Sequence, residues 1–103
     1  MIQFSIKPGK GKRPPTVQFE DDHYALASEL LLAERSILPQ LCELLTNAAE
    51  EDFTEESLSG NAFTVEVSRR KTVITNDVTD KTLEIPTADL RAAAEAYAKA
   101  LKK

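Results

Sequence analysis

Apolar and polar residues alternate at the start of the chain, where every second position from Ile2 to Ile6 is apolar. This two-residue period is typical of a strand with one buried face. Val17 and Phe19 resume the alternation after residues 7–15, a segment with two glycines and three prolines. Glycine and proline at this density interrupt regular structure. The pattern therefore predicts a β-hairpin with a long basic loop.

A helical period follows the hairpin. Apolar residues recur at intervals of three or four positions, at Leu26, Leu30, Ala33, Ile37, Leu41 and Leu44. This spacing places them on one face of a helix, which Asp21 or Asp22 can cap at its N-terminus. Pro39 lacks the N–H that continues a helix. Because the apolar face continues in phase beyond Pro39, we expect a kink or a tight restart there.

A second apolar stripe lies beside the first on this helical region. It consists of Leu31, Leu38 and Leu45. At about 100° per residue, a stripe of this kind is not shielded by its neighbours on the same helix. Either a second helix of the chain covers these leucines or another molecule does. In the second case they would form a homodimer interface.

The second half of the chain predicts a meander of strands followed by a helix. Strict alternation at residues 63–67 marks one strand, and two further β-rich segments are separated by the charged turns RRK and TDK. Such a succession is typical of antiparallel strands joined by turns. Pro86 ends the last strand and Thr87 is a suitable N-cap. One apolar face then extends along residues 90–101.

These elements give the order ββαβββα, which predicts an α+β fold with an antiparallel sheet of about five strands and helices on one face. A chain of 103 residues is expected to form a single domain, residues 1–103, with one core. No apolar run is long enough to span a membrane, and the N-terminus lacks a signal-peptide pattern. One cysteine fits a reducing compartment. We therefore expect a cytoplasmic protein.

The densest charge cluster lies in NAAEEDFTEESLSGN, residues 47–61. Its acidic residues surround one aromatic residue, Phe53, and they are Glu50, Glu51, Asp52, Glu55 and Glu56. Two interpretations are open. A block of like charges is often a solvated loop. Alternatively, it forms a negative surface that binds a basic protein, with Phe53 filling a pocket of the partner.

The basic loop of the predicted hairpin is a second candidate site. Lys10, Lys12 and Arg13, with Lys7 nearby, can bind an anion, although their spacing is not that of a phosphate-binding P-loop. No aromatic residue is interleaved among them to stack on bases. Four phosphate contacts would limit the salt dependence to a slope of about −3.6. With a net charge of −4, the chain is expected to bind nucleic acid weakly at most.

No residue pattern predicts catalysis, a metal site or a cofactor. His23 and Cys42 are the only residues of their kinds, and along one straight helical region they would lie more than roughly 20 Å apart. Asp21, Asp22 and His23 are consecutive, so their side chains do not surround one ion. NDVTD, residues 76–80, lacks the glycine and glutamate of a calcium-binding loop. We therefore expect a protein that is not an enzyme.

The element order and the ending LEIPTADLRAAAEAYAKAL resemble small bacterial immunity proteins of contact-dependent and polymorphic toxin systems. These often end with a strand, a capped turn and a helix patterned as Leu90, Tyr97 and Leu101 are here. The resemblance covers the element order over most of the chain and the residue pattern over the last twenty residues. It implies a cytoplasmic inhibitor that occludes the active site of a cognate toxin domain, and it transfers no individual residue role.

Two other functions are compatible with the same sequence. The chain can be a small adaptor or a homodimeric interaction protein without catalytic activity. It can also be a weak nucleic-acid-binding protein that uses the basic hairpin loop. The acidic segment favours a protein partner over nucleic acid and leaves the inhibitor and the adaptor as alternatives.

Overall fold

Nine regular elements follow one another in the computed structural model, which describes residues 2–102. In chain order they are β1 (Phe4–Lys7), β2 (Thr16–Phe19), α1 (Ala25–Ala33), α2 (Leu38–Asn47), β3 (Glu56–Ser59), β4 (Phe63–Val67), β5 (Lys71–Asn76), β6 (Thr82–Pro86) and α3 (Thr87–Leu101). The fold class is α+β, as predicted. The order ββααββββα differs from the predicted one because the long helix is divided and because β3 forms within the acidic segment.

The strands form two antiparallel sheets instead of one. β1 and β2 make a two-stranded sheet, and β3, β4, β5 and β6 make a four-stranded meander in that order. The hairpin packs on α1 and α3, with Phe4 opposite Phe19 and their ring centroids 5.9 Å apart. The prediction of a single sheet of about five strands is therefore wrong. The buried side of the hairpin, with Val17 and Phe19, packs against the helices, and the hairpin does not extend the four-stranded sheet.

The expected restart at Pro39 is confirmed, whereas the expected cap at Asp21 serves a 3₁₀ turn and α1 itself begins at Ala25. The Asp21 carboxylate accepts the His23 N–H at 2.9 Å and caps the short 3₁₀ turn that leads into α1. α1 ends before Glu34, a second 3₁₀ turn covers Arg35–Ile37, and α2 begins with Pro39 in its first turn. The missing N–H of a proline is tolerated at that position because first-turn N–H groups have no partner within the helix.

The second leucine stripe is internal to the chain. Leu31, Leu38 and Leu45 are 1%, 3% and 0% exposed, and α2 packs directly against α3. A helix of the same chain covers the stripe, so a homodimer through these three leucines is not compatible with this fold. Of the two alternatives left open by the sequence, the structure supports coverage by a second helix of the chain.

One apolar cluster joins the inner face of the four-stranded sheet to the helices. From the sheet it includes Val65, Val67, Ile74 and Ile85, and from α3 it includes Leu90. The alternation predicted for residues 63–67 is confirmed by the burial of every second side chain of β4. Among residues 2–102, none of the helices combines the length and apolar character needed to cross a membrane.

Thr87 does not cap α3 as predicted. It is the first residue of the helix, and its hydroxyl donates to the Ser68 carbonyl at 2.7 Å while lying 2.8 Å from the Thr72 hydroxyl. Its own N–H donates to the Arg70 carbonyl. Thr87 is buried, so its side chain joins α3 to the β4–β5 turn and does not serve the helix end.

Both tyrosines are expected to resist ionisation in the folded protein. Burial and then the hydrogen bond to Asp89, whose carboxylate accepts the Tyr24 hydroxyl at 2.8 Å, raise the pKa of Tyr24 to about 12. Burial also raises the pKa of Tyr97. The folded protein favours the protonated form of Tyr24. Its contribution to the free energy of unfolding is therefore complete below pH 10 and is lost as the pH rises towards 12.

Absorbance at 295 nm during alkaline titration measures this directly, since the chain has two tyrosines and no tryptophan. In the folded protein both tyrosines should titrate at higher pH than in denaturant, where both should titrate near pH 10. A native titration curve that coincides with the denatured one would contradict the buried geometry.

Candidate functional site

The acidic residues predicted to bind a partner are brought together on an ordered surface. Glu50, Glu51 and Asp52 lie in consecutive turns after α2, Glu55 precedes β3, and Glu56 is its first residue. All five side chains are exposed. Backbone bonds from Glu50 N–H to the Asn47 carbonyl at 3.0 Å and from Phe53 N–H to the Glu50 carbonyl at 3.1 Å define the turns.

Phe53 contacts the chain's own core. Its side chain is half-buried and packs against the apolar cluster, so it fixes the acidic turns to the body of the domain. Burial of part of the ring stabilises the turn itself, and the predicted role of Phe53 in filling a pocket of the partner stays a prediction.

Topology adds two acidic residues that the sequence did not single out. Glu66 on β4 is directly opposite Ser57 on β3. Glu43 on α2 lines a groove of about 460 Å³ between that helix and β3, together with Gln40, Leu44, Asn47, Glu56, Ser57 and Leu58. We call the surface formed by Glu43, Glu50, Glu51, Asp52, Glu55, Glu56 and Glu66 the acidic edge.

Within residues 2–102, no carboxylate of the acidic edge forms an ion pair. Over residues 2–102 the one ion pair joins Lys71 to Glu84 at 3.5 Å, and neither belongs to this surface. Like charges in this density raise the local negative potential, which attracts cations and basic proteins. The acidic edge therefore has the electrostatics of a surface for a positively charged ligand.

Glu34 holds the turn that positions β3 against β4. Glu34 is 2% exposed, and its carboxylate accepts three backbone N–H groups, from Asn61 at 3.1 Å, Ala62 at 2.9 Å and Phe63 at 3.0 Å. Burial alone raises the pKa of Glu34, but these three bonds outweigh it and lower the pKa below its ordinary value. Glu34 is thus an ionised buried group with its charge satisfied by the β3–β4 turn.

Gly60 is needed because of Glu34. A Cβ atom at position 60 would overlap the Glu34 carboxylate, while the Gly60 N–H donates to the Phe63 carbonyl at 2.8 Å. Sequence reasoning missed this pair, since Glu34 follows α1 like an ordinary exposed residue. The one sequence signal was the glycine between two polar residues at the end of the acidic segment.

The basic loop lies beside the C-terminal half of α3. Lys10, Lys12 and Arg13 are exposed, and a groove of about 500 Å³ brings Lys99 of α3 beside Pro8 and Gly9 of the loop. We call Lys10, Lys12, Arg13 and Lys99 the basic end.

The helix pair separates the two charged surfaces. The first residues of α2, Leu38 and Pro39, line a cavity with Leu101 and Lys102 of α3, whereas the acidic turns follow Asn47 at the far end of α2. A helix of this length measures about 15 Å. The C-terminus of α3, which bears Lys99, therefore lies near the start of α2, and the acidic turns lie at its end.

His23 and Cys42 are not brought together as a catalytic pair. His23 is exposed in the 3₁₀ turn before α1, and Cys42 is half-buried on α2, where it lines the cavity near Leu101. Burial, followed by the nearby Glu95 charge, raises the pKa of the Cys42 thiol, which disfavours the nucleophilic thiolate. Among residues 2–102, no three or more His, Cys, Asp and Glu side chains are grouped so as to hold a metal ion.

Comparison with known proteins adds no family to this geometry. No family model, no curated protein and no solved structure matches the chain. The function therefore has to be argued from the surface itself.

Proposed function

We propose that this chain is a non-catalytic, cytoplasmic protein-binding domain that recognises a basic partner through the acidic edge. We further propose that binding inhibits the partner, in the manner of an immunity protein that occludes the active site of a cognate toxin domain. The observation that carries the first step is a row of exposed acidic side chains on an ordered surface, none of which forms an ion pair within residues 2–102. The resemblance of the element order and terminal helix to immunity proteins supports the second step.

Order in the acidic edge supports a binding role over a purely solvating one. Phe53 fixes the turns to the core, and Glu34 fixes the start of β4 through three N–H bonds. A surface ordered before binding loses less conformational entropy when a partner arrives. Its negative potential also accelerates the encounter with a basic protein, and this acceleration weakens as salt concentration rises.

Charge reversal of the acidic segment is expected to abolish partner binding. Changing Glu50, Glu51, Asp52, Glu55 and Glu56 to Lys moves the formal net charge from −4 by ten units to +6. All five side chains are exposed, so the variant should fold. We expect a loss of affinity of roughly 100-fold or more, because several attractive pairs become repulsive.

The experiment uses the parent chain, the five-Lys variant and a matched control with Lys10, Lys12 and Arg13 changed to Ala. Each is immobilised and offered lysate of the source organism, and the captured protein is then purified and titrated against all three. The parent chain and the basic-loop control should bind alike. Equal binding by the five-Lys variant, or loss in the basic-loop control alone, would refute the acidic edge as the interface.

Inhibition is tested separately on the captured partner. Expression of a toxin domain alone should arrest growth, and co-expression of this chain should restore it, while the five-Lys variant should not. A partner that is harmless when expressed alone would leave the chain a binding protein of the adaptor class and exclude the immunity role.

A further inference from the structure

We infer that the outer edge of β3 takes up an extended basic segment of the partner protein as an additional strand. This inference rests on the proposed function, since it specifies how the acidic edge holds its basic partner. It depends on three features of β3: an edge with unpaired backbone groups, an adjoining groove, and carboxylates on both faces.

The backbone of β3 offers donors and acceptors on its outer side. β3 is the terminal strand of its sheet, with β4 as its neighbour there. The Gly60 N–H donates to the Phe63 carbonyl, and hydrogen-bonded pairs in antiparallel strands recur at every second residue. Glu56 and Leu58 therefore bond to β4, whereas the N–H and C=O groups of Ser57 and Ser59 point away from it. An extended peptide can pair with such groups.

The groove beside β3 has space for the side chains of an added strand. It measures about 460 Å³ and separates β3 from α2, with Leu44 and Leu58 as its apolar residues. A second groove of about 370 Å³ lies on the other face of β3, beside Glu55 and Glu66.

Carboxylates are present on both sides of the strand. Glu56 is opposite Val67, a residue of the buried face, so it lies on the helix side with Glu43. Glu66 is opposite Ser57 on the other side. Successive side chains of a strand point to opposite faces. Cations on either face of an added strand would thus meet a carboxylate.

The same charges disfavour a second copy of the chain as the occupant. Pairing β3 with β3 of another copy would bring two acidic edges together, and like charges on adjacent strands are destabilising. A basic segment gains attraction in place of this repulsion. The competing explanation is that the charges only protect the edge from unwanted pairing, as charged residues do on many edge strands.

Amide hydrogen exchange with a synthetic peptide tests the inference on the full chain. The probe is a peptide of about seven residues, long enough to span a strand of ordinary length, with Lys or Arg alternating with Val or Thr. Its twin carries N-methyl groups on every second backbone nitrogen, chosen to block main-chain pairing. The first peptide should slow exchange at Ser57 and Ser59, while Glu56 and Leu58, already bonded to β4, should change little.

Ser57→Pro and Ser57→Ala form the matched variant pair. Proline removes the outward N–H without disturbing the bonds to β4, a position where edge strands tolerate it, whereas alanine removes only the hydroxyl. Ser57→Pro should weaken peptide binding roughly three- to tenfold, the effect of one lost hydrogen bond, and Ser57→Ala should not. If Ser57→Pro fails to fold, the N-methylated peptide supplies the same comparison on the parent chain.

The outcomes separate this inference from the proposed function. Equal binding of both peptides, with loss only in the five-Lys variant, would overturn strand addition and leave the acidic edge as a charged interface. No protection of Ser57 and Ser59 at saturating peptide would likewise overturn it. Failure of the proposed function is decided independently by the captured partner and the five-Lys variant.

Discussion

Gly60→Ala is expected to destabilise the protein by about 3 kcal/mol when Glu34 is present and by less than about 0.5 kcal/mol when Glu34 is Ala. The added methyl group overlaps the Glu34 carboxylate. Displacing that carboxylate leaves the N–H groups of Asn61, Ala62 and Phe63 without their acceptor. Without Glu34 the overlap is absent. Alanine also lowers the conformational entropy of the unfolded chain relative to glycine, which offsets part of any remaining cost.

Denaturant unfolding of the four proteins in this double-mutant cycle gives the coupling. Glu34→Ala alone should cost about 3 kcal/mol, a large part of the 5–15 kcal/mol that stabilises a typical domain. Costs that simply add would contradict the arrangement, because Gly60 would then be acting through its backbone and not through Glu34. Gly11, whose φ is 62° in the basic loop, provides a control glycine with no contact to the carboxylate.

The pH dependence of stability gives a second measure of the same carboxylate. Burial raises the pKa of Glu34 and the three N–H bonds more than reverse this, so its folded value lies below its unfolded one. The stabilisation is therefore complete above the unfolded pKa, and it is lost as the pH falls through the folded pKa. In Glu34→Ala the free energy of unfolding should therefore fall less as the pH is lowered. An unchanged dependence on pH would mean that other carboxylates cause the loss of stability in acid.

Local patterns predicted the elements whose stability depends on neighbouring residues in sequence. The hairpin alternation, the Asp21 cap, the restart at Pro39 and the apolar face of the last helix are all present. Each follows from side-chain period or from the backbone chemistry of a single residue. These features needed no information about which element packs on which.

The strand β3 escaped prediction because its sequence has no strand signal. Glu-Ser-Leu-Ser lacks β-branched and aromatic residues, and strand propensity depends strongly on the partner strand. Pairing with β4 in the register Glu56 to Val67 and the turn held by Glu34 stabilise it instead. Both are tertiary effects that join residues distant in sequence.

The acidic residues of the candidate site were only partly predictable for the same reason. Five of them are nearly consecutive, so their charge was visible in the sequence. Glu43 and Glu66 occupy ordinary exposed positions on a helix and a strand, and only the β3–β4 register and the groove beside α2 bring them to the site. The leucine stripe was ambiguous because α3, which covers it, lies more than forty residues further along the chain.

Tyr97→Ala is expected to destabilise the protein by about 3–5 kcal/mol, the cost of truncating a large aromatic side chain in a core. Tyr97 is 0% exposed, and its hydroxyl donates to the Pro15 carbonyl at 2.7 Å. Tyr97→Phe keeps the ring and loses the hydroxyl with its bond to Pro15, for a cost of about 1 kcal/mol. Thermal or denaturant unfolding of both variants separates packing from hydrogen bonding, and equal costs would contradict the close fit of the ring.

Tyr97→Phe also tests whether the basic end and the acidic edge are independent of each other. Tyr97 ties α3 to the end of the basic loop, since Pro15 directly precedes β2. Tyr97→Phe should therefore speed amide exchange at Arg13, whose N–H donates to the Lys10 carbonyl, and leave Glu56 and Leu58 protected. Because the acidic edge is positioned by Glu34 and Phe53, partner binding should be unchanged in this variant. A binding loss in Tyr97→Phe would show instead that the basic end takes part in recognition.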